Sequence, residues 1–238
     1  MTSTNHTLCL DILRSVDASH KIVGGAHATL KGPEIATNNP DILVVSGEAE
    51  DVIVDAVKYR KIGLINGGKI DDLDRIPFID RSLFVNDPYS VGGRLESAMV
   101  TQRGCPFSCN FCSVPKINGR KVRGRSIDNV MEEITMLKER DGVDSIHFMD
   151  DIFNYNRRRL EDFCDALEGR NLDIEWRALT RVELLDDALL ERMKRAGCYK
   201  IALGIESGTP RILRYIGKCD DLPHIRQVFK KAREVGIE

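Results

Sequence analysis

Three of the chain's seven cysteines fall between Cys105 and Cys112, in the stretch RGCPFSCNFCSVP, with the spacing C-x3-C-x2-C. A structural zinc site wants four ligands, usually as two separate pairs, and no C-x2-C or H-x3-H partner follows. A disulfide does not suit a reducing compartment, where this sequence is expected to reside. A cubane iron–sulfur cluster fits better, because soft thiolates select it and one loop reaches three of its irons. The fourth iron is then left for something other than cysteine, and an open coordination position is what a catalytic metal centre has. Cys9, Cys164, Cys198 and Cys219 are scattered and read as small buried hydrophobes.

The elements that must position this loop follow from periodicity. With 238 residues, 42% hydrophobic and 30% charged, the chain is long enough to bury a core. Its net charge of −2, with both signs interspersed, argues against a nucleic-acid surface. The first residues lack a basic start and apolar run, and no stretch approaches the ~20 apolar residues of a membrane span; a cytoplasmic location is expected. Cys9, Ile12, Leu13 and Val16 mark one face of a helix, KIVGG (21–25) and DILVVSGE (41–48) read as strands, and Val52, Ala56 and Val57 mark the helix after the second. Residues 63–95 carry no sustained period and are rich in Gly, Asp and Pro, so 67–95 reads as a linker.

Beyond it the rhythm is regular. SAMVTQ (97–102), SIHFMDD (145–151), DIEWRALTR (173–181) and YKIALGIESG (199–208) read as strands, each followed by a helical stripe. Ser126 is placed to cap one helix, Leu160, Phe163, Cys164 and Leu167 line another, and Gly197 and Gly236 end two more. Four βα units argue an α/β fold with a parallel sheet or barrel, whose chemistry gathers at the C-terminal strand ends. There lie the cysteines, Asp150 and Asp151, Arg181, and Glu206 with Ser207. His147, mid-strand, reads as a core histidine, and the arginines at 157–159 as a solvated helix start.

The cysteine motif with Phe111 before its last cysteine, together with FMDDIF, WRALTRVELLD and GIESGTPRIL, resembles the radical S-adenosylmethionine (radical SAM) superfamily. VGGAHATL, VSGEAE and DDLDRIPFIDR resemble the end of the cobalamin-binding domain, and its linker, that one branch carries. The resemblance implies a partial (βα) radical SAM barrel of about four units at 96–238, preceded at 1–66 by the C-terminal part of a Rossmann-like cobalamin domain. In that family Cys105, Cys109 and Cys112 would ligate a [4Fe–4S] cluster, and S-adenosylmethionine would chelate the open iron. One electron from the cluster then cleaves the sulfonium bond to give a 5′-deoxyadenosyl radical.

The same resemblance implies roles for further residues. Phe111 packs near the adenine, and Pro106 and Phe107 shape the loop. Asp150 or Asp151 receives the methionine ammonium, with alternation pointing only one inward; a helix cap is the competing reading. Arg181 pairs with the methionine carboxylate, against an ion pair with Glu183. Glu206 and Ser207 bond the ribose, with Gly204 and Gly208 allowing close approach; Ser207 reads equally as a cap. Gly24 and Gly25 admit the cobalamin tail or make a tight turn, and Ser3 or Thr4 touches that tail. The lower-ligand motif D-x-H-x-x-G is absent, so His27 takes no such role. The implied activity is cobalamin-dependent methyl transfer, or related C–H functionalisation, on a small metabolite, fed by a flavodoxin or ferredoxin. The alternatives are a methylthiotransferase acting on tRNA or a ribosomal protein, and a non-catalytic metal module. Both ends look cut, so a fragment of a longer enzyme is expected.

Overall fold

The structure, a computed structural model, describes residues 5–84 and 88–238. The chain divides into two units, Met1–Ile76 with Ser113–Gly119, and Pro77–Cys112 with Arg120–Glu238. The expectation for Ser3 and Thr4 lies outside the described residues.

The first unit runs α1 (His6–Ser15), β1 (Ile22–Val23), α2 (Ala26–Asn38), β2 (Leu43–Ser46), α3 (Ile53–Lys58) and β3 (Gly63–Asn66), and includes the short α4 (Val114–Ile117). Its strands pair in parallel in the order β1-β2-β3. The apolar run Leu43–Val45 takes the centre and is buried throughout, as a strand covered on both faces must be. On α1 the packing face is Leu10 and Leu13, against Val23, Ala28, Ile35, Ile42 and Val44. Ile12 and Val16 are exposed, so the expected stripe is rotated toward Leu10. β3 replaces the irregular chain expected at its position: Leu64 and Ile65 align with Val44 and Val45. Helix α2 was not legible, because Pro33 lies inside it and the backbone kinks at Lys31. A Cβ on Gly32 would come within 2.9 Å of Leu64 Cδ1, so glycine there lets α2 lie on the sheet.

The second unit runs β4 (Tyr89–Val91), β5 (Arg94–Met99), β6 (Gln102–Arg103), β7 (Arg123–Gly124), α5 (Ile127–Asp141), β8 (Ser145–Phe148), α6 (Arg157–Gly169), β9 (Glu175–Thr180), α7 (Asp187–Arg195), β10 (Cys198–Leu203), α8 (Pro210–Ile216) and α9 (Leu222–Val235). The main sheet has the order β10-β9-β8-β5-β4. β5, β8, β9 and β10 are parallel neighbours, the expected repeat. β4 was not expected: a turn at Gly92–Gly93, both with positive φ, folds it antiparallel onto β5. Arg81, from the stretch read as linker, is buried and donates to Glu133 at 3.1 Å and to the Ala98 carbonyl at 2.8 Å. At the other edge the Glu238 N–H donates to Tyr199 O at 2.8 Å, and Ile201 N–H donates to Glu238 O at 2.9 Å, a parallel-ladder pattern.

Ser126 caps α5 through the Asn129 N–H, and Gly142 ends it in the left-handed conformation. Ile146, Phe148, Trp176 and Ala178 face the helices, where Leu160, Phe163, Cys164 and Leu167 of α6 meet them. The rings of Phe148, Phe153, Phe163 and Trp176 pack mainly edge to face. Cys164 and Cys198 are buried as expected, whereas Cys9 and Cys219 are half-buried.

One carboxylate ties all five strands of this sheet. Glu96 of β5 is 0% exposed. It accepts from Arg177 of β9 at 2.8 and 2.5 Å, Tyr199 of β10 at 2.8 Å, Tyr89 of β4 at 3.0 Å and Ser145 of β8 at 3.4 Å. Burial alone would push its carboxyl up, but the bonds from Arg177, Tyr199 and Tyr89 outweigh it and hold it down at about 2. A depressed carboxylate stabilises the fold fully above its ordinary value of 4.5, and that contribution fades as pH falls toward about 2. Glu96→Gln is expected to cost about 3 kcal/mol in urea unfolding near neutral pH. The gap from wild type should narrow as the measurement moves into acid.

Candidate functional site

The cysteine loop is an excursion closed at its base. β6 and β7 pair antiparallel, Gln102 with Gly124 and Arg103 with Arg123, and Arg125 N–H donates to Thr101 O at 2.9 Å. Beneath the base sits Asp150, 2% exposed, just past the end of β8. Its Oδ1 accepts from the N–H groups of Thr101 at 2.6 Å and Gln102 at 3.0 Å. Its Oδ2 takes the Thr101 hydroxyl at 2.6 Å and the Gln102 amide at 3.3 Å. Burial pushes this carboxyl above the usual range, and the four donors pull against that. A carboxylate has about four acceptor sites, so Asp150 has none left for a ligand. Asp150 thus braces the loop, where the sequence had offered it or Asp151 as the acid for an ammonium. Asp151, half-buried, accepts the Gly104 N–H at 2.8 Å.

Three further groups hold the loop's rim. Arg120 reaches the carbonyls of Phe107 at 3.2 Å and Pro106 at 3.4 Å, and the Ser108 hydroxyl at 3.1 Å. The end of α8 docks on the other side: Asn110 N–H donates to Ile216 O at 3.2 Å and its amide to Tyr215 O at 2.9 Å. Gly217, with φ +76°, lies so close that a Cβ would be 3.1 Å from Ser108 O. Arg181 is the third. It pairs with Glu183, as the competing reading had it, but the pair is not on the surface, since Arg181 is 9% exposed. Its Nη1 lies 3.0 Å from Cys109 Sγ, and its guanidinium stacks on Phe107, 3.8 Å from the ring centroid. Arg120 and Gly217 were missed because each acts through a contact made across the chain, to residues 106–108 and to Ser108, which leaves no mark in local spacing.

Cys105, Cys109 and Cys112 are all half-buried. Burial raises the Cys105 thiol, with the Phe107 N–H opposing, so binding a metal there must release a proton. Among the described residues no three His, Cys, Asp or Glu side chains converge on one metal-ion position. Thiolates that bind separate irons of a cubane need not converge in that way.

At the end of β10, Glu206 is exposed, adopts φ +72° and pairs with Lys218 at 3.5 Å. Lys218 also donates to Gly204 O at 2.9 Å and lies 5.8 Å from the centre of the Phe111 ring. Gly204 is thus covered by the Glu206 and Lys218 side chains, whereas Gly208 faces open space. Phe111 itself is 56% exposed. Ser207 accepts the Thr209 N–H at 3.1 Å in a local turn just before α8, whose N-cap position is Thr209, so the cap reading of Ser207 is shifted by two residues. His147 is not in the core. It lies half-buried on the sheet face away from the helices, in a cavity of about 260 Å3 with Met149, Arg177, Leu179, Lys200 and Ala202. Burial, then Arg177, lower its pKa, which favours the neutral imidazole, while Glu96 pulls the other way. In the first unit Gly24 and Gly25 make the turn from β1 into α2, Gly25 with φ +91°. The strand ends beside them are also glycine-rich: Glu48 N–H donates to Gly68 O at 3.1 Å, and Gly67 N–H to Ser46 O at 2.8 Å.

Asp150→Ala should therefore act on the fold and not on ligand affinity alone. It strands two buried N–H groups, each worth about 1–3 kcal/mol, and should lower the urea midpoint of the chain before any cofactor is added. Asp151→Ala, which releases the Gly104 N–H from a carboxylate that is half-buried rather than fully buried, should cost less in the same measurement.

Residues 99–238 match the Radical SAM superfamily. An uncharacterized methyltransferase of Pyrococcus horikoshii is 32% identical over 237 residues, covering 91% of this chain and 51% of its own length. The cytidylyl-2-hydroxyethylphosphonate methyltransferase of Streptomyces wedmorensis is 31% identical over 151 residues, 63% of this chain and 28% of its own. The chain thus spans about half, or less, of the curated relatives it matches. Among solved structures, the cobalamin-dependent S-adenosylmethionine radical enzyme OxsB, with aqua-cobalamin and S-adenosylmethionine bound, is similar with TM-score 0.70 at 18% identity. That likeness covers 98% of this chain and 38% of the other, and it shows a shared fold. Among the described residues no helix is long and apolar enough to cross a membrane. The superfamily match begins at the last residue of β5 and takes in the cysteine loop and all the strand ends around it, and the chain belongs to the radical SAM superfamily.

Proposed function

We propose that the chain carries the [4Fe–4S] and S-adenosylmethionine site of a cobalamin-dependent radical methyltransferase that acts on a small molecule. The observation that carries this reading is the C-x3-C-x2-C loop, closed at its base by β6 and β7 and braced by Asp150, with a guanidinium directed at the Cys109 sulfur. The donor set fits the cluster, because three soft thiols occupy one loop and no fourth cysteine is in reach of it in sequence. Cys105, Cys109 and Cys112 would hold it. When bound, the cluster and S-adenosylmethionine supply one-electron radical chemistry that no side chain possesses.

The protein's part is to bind and orient. With Asp150 saturated, the methionine ammonium and the ribose fall in this reading to Asp151, which also accepts the Gly104 N–H, and to Glu206, and exposed Phe111 offers a face to the adenine. The cavity beside His147 and Leu179 is small for a whole ligand and suits one end of a substrate. In this reading residues 1–66 form the cobalamin-binding portion and 96–238 the radical core, with β4 added to the core from the stretch between. Glycines at the ends of β1, β2 and β3 support the cobalamin assignment, since they let backbone approach a nucleotide tail. The relatives named methyltransferases support the reaction class. A flavodoxin or ferredoxin would supply the electron.

The test is anaerobic reconstitution with iron and sulfide, then reduction in the presence of S-adenosylmethionine. The expected result is a brown protein that forms 5′-deoxyadenosine, with formation abolished in Cys109→Ala. A colourless protein holding one zinc would overturn the reading. Retained absorbance after incubation with hydroxocobalamin and desalting is expected, and its loss would remove the cobalamin part.

A further inference from the structure

Arg181 is held too firmly, and on too many sides, to be a swinging arm for a ligand. Its main chain is fixed both ways by Asn154, whose Oδ1 accepts the Arg181 N–H at 3.0 Å and whose amide donates to the Arg181 carbonyl at 3.1 Å. Its Nε donates to Glu183 at 2.7 Å, Nη2 also meets Glu183 and reaches Gly217 O at 3.4 Å, and Phe107 covers one face of the guanidinium. The remaining edge, Nη1, points at Cys109 Sγ from 3.0 Å. An arginine has five N–H donors, and here only one is left over. A bidentate grip on a ligand carboxylate, the role expected from the sequence, would have to break the pair with Glu183.

We propose that Arg181 is a positioning residue for the Cys109 sulfur, and that its N–H···S bond raises the reduction potential of the cluster this loop carries. The inference rests on the cluster assignment made above. Hydrogen bonds to ligand sulfurs and local charge are the levers by which a protein sets an iron–sulfur potential. A donor aimed at a thiolate stabilises the negative charge that reduction adds. The order of charges decides the sign: Nη1 faces the sulfur, while Glu183 sits on the Nε and Nη2 edge. The Arg181 edge that faces the Cys109 sulfur is therefore the one that Glu183 does not occupy. The two halves of one ion pair should then act in opposite directions. Removing the guanidinium lowers the potential, and neutralising Glu183, while an amide keeps the Nε bond, raises it.

The experiment is a redox titration of the reconstituted chain without S-adenosylmethionine, monitored by the electron paramagnetic resonance of the reduced cluster. Wild type, Arg181→Gln and Glu183→Gln are compared at equal iron and sulfide content. The expected result is a midpoint shifted negative in Arg181→Gln and positive in Glu183→Gln. Shifts of the same sign, as a loosened loop would give, or no shift in either, would overturn the proposal. If Arg181→Gln takes up no cluster, Glu183→Gln decides alone: a positive shift supports the proposal and any other result sinks it. A wild-type chain that assembles no cluster fails at an earlier step, and overturns the cluster assignment itself.

Discussion

The site depends on one buried carboxylate. Asp150 follows β8, yet all of its acceptor capacity is spent on Thr101 and Gln102, which follow the neighbouring strand β5. A buried acid tolerates this position because both of its oxygens are hydrogen-bonded by protein donors. The consequence is mechanical. The backbone that enters the cysteine loop is fixed to the end of the adjacent strand, so the parallel pairing of β5 with β8 sets where the loop begins. Asp151 extends the same brace to Gly104, immediately before Cys105.

A second constraint lies toward the start of the strands. Glu96 gathers Tyr89, Ser145, Arg177 and Tyr199, one from each of the other strands. Locking the sheet there leaves the opposite ends to loops that carry polar and reactive groups, the division of labour usual in parallel α/β folds. The two networks use acids for opposite purposes. Glu96 is held ionised by a guanidinium and two phenols, while Asp150 has only neutral donors and is pushed upward by burial.

What was legible in the chain was what is local. The stripes of α5 and α6, the Ser126 cap, the four strands after residue 93 and the cysteine spacing each lie within a few turns of backbone. The elements that escaped have local signals that point elsewhere. In α2 the buried positions Ala28, Gly32 and Ile35 do keep a helical spacing. Small residues and Pro33 disguised it, because the contact needed close approach more than apolar bulk. β4 is short, and its pairing rests on the Gly92–Gly93 turn rather than on any alternation. His147 was read as core because its strand is apolar, but alternation turns it to the opposite face from Ile146 and Phe148.

By itself the sequence determined the chemistry on offer: three thiols in one loop, acids and an arginine at strand ends, and a strand–helix repeat that brings those ends together. Those features are written in spacing, which survives without knowledge of partners. Only the tertiary structure decided which of these groups remain available. Asp150 and Arg181 read as ligand-binding residues in the sequence, and the partners that hold them in the fold lie 48 and 72 residues away, at Gln102 and Cys109. A polar side chain has few donors or acceptors, and distant chain that reaches it first takes them out of play.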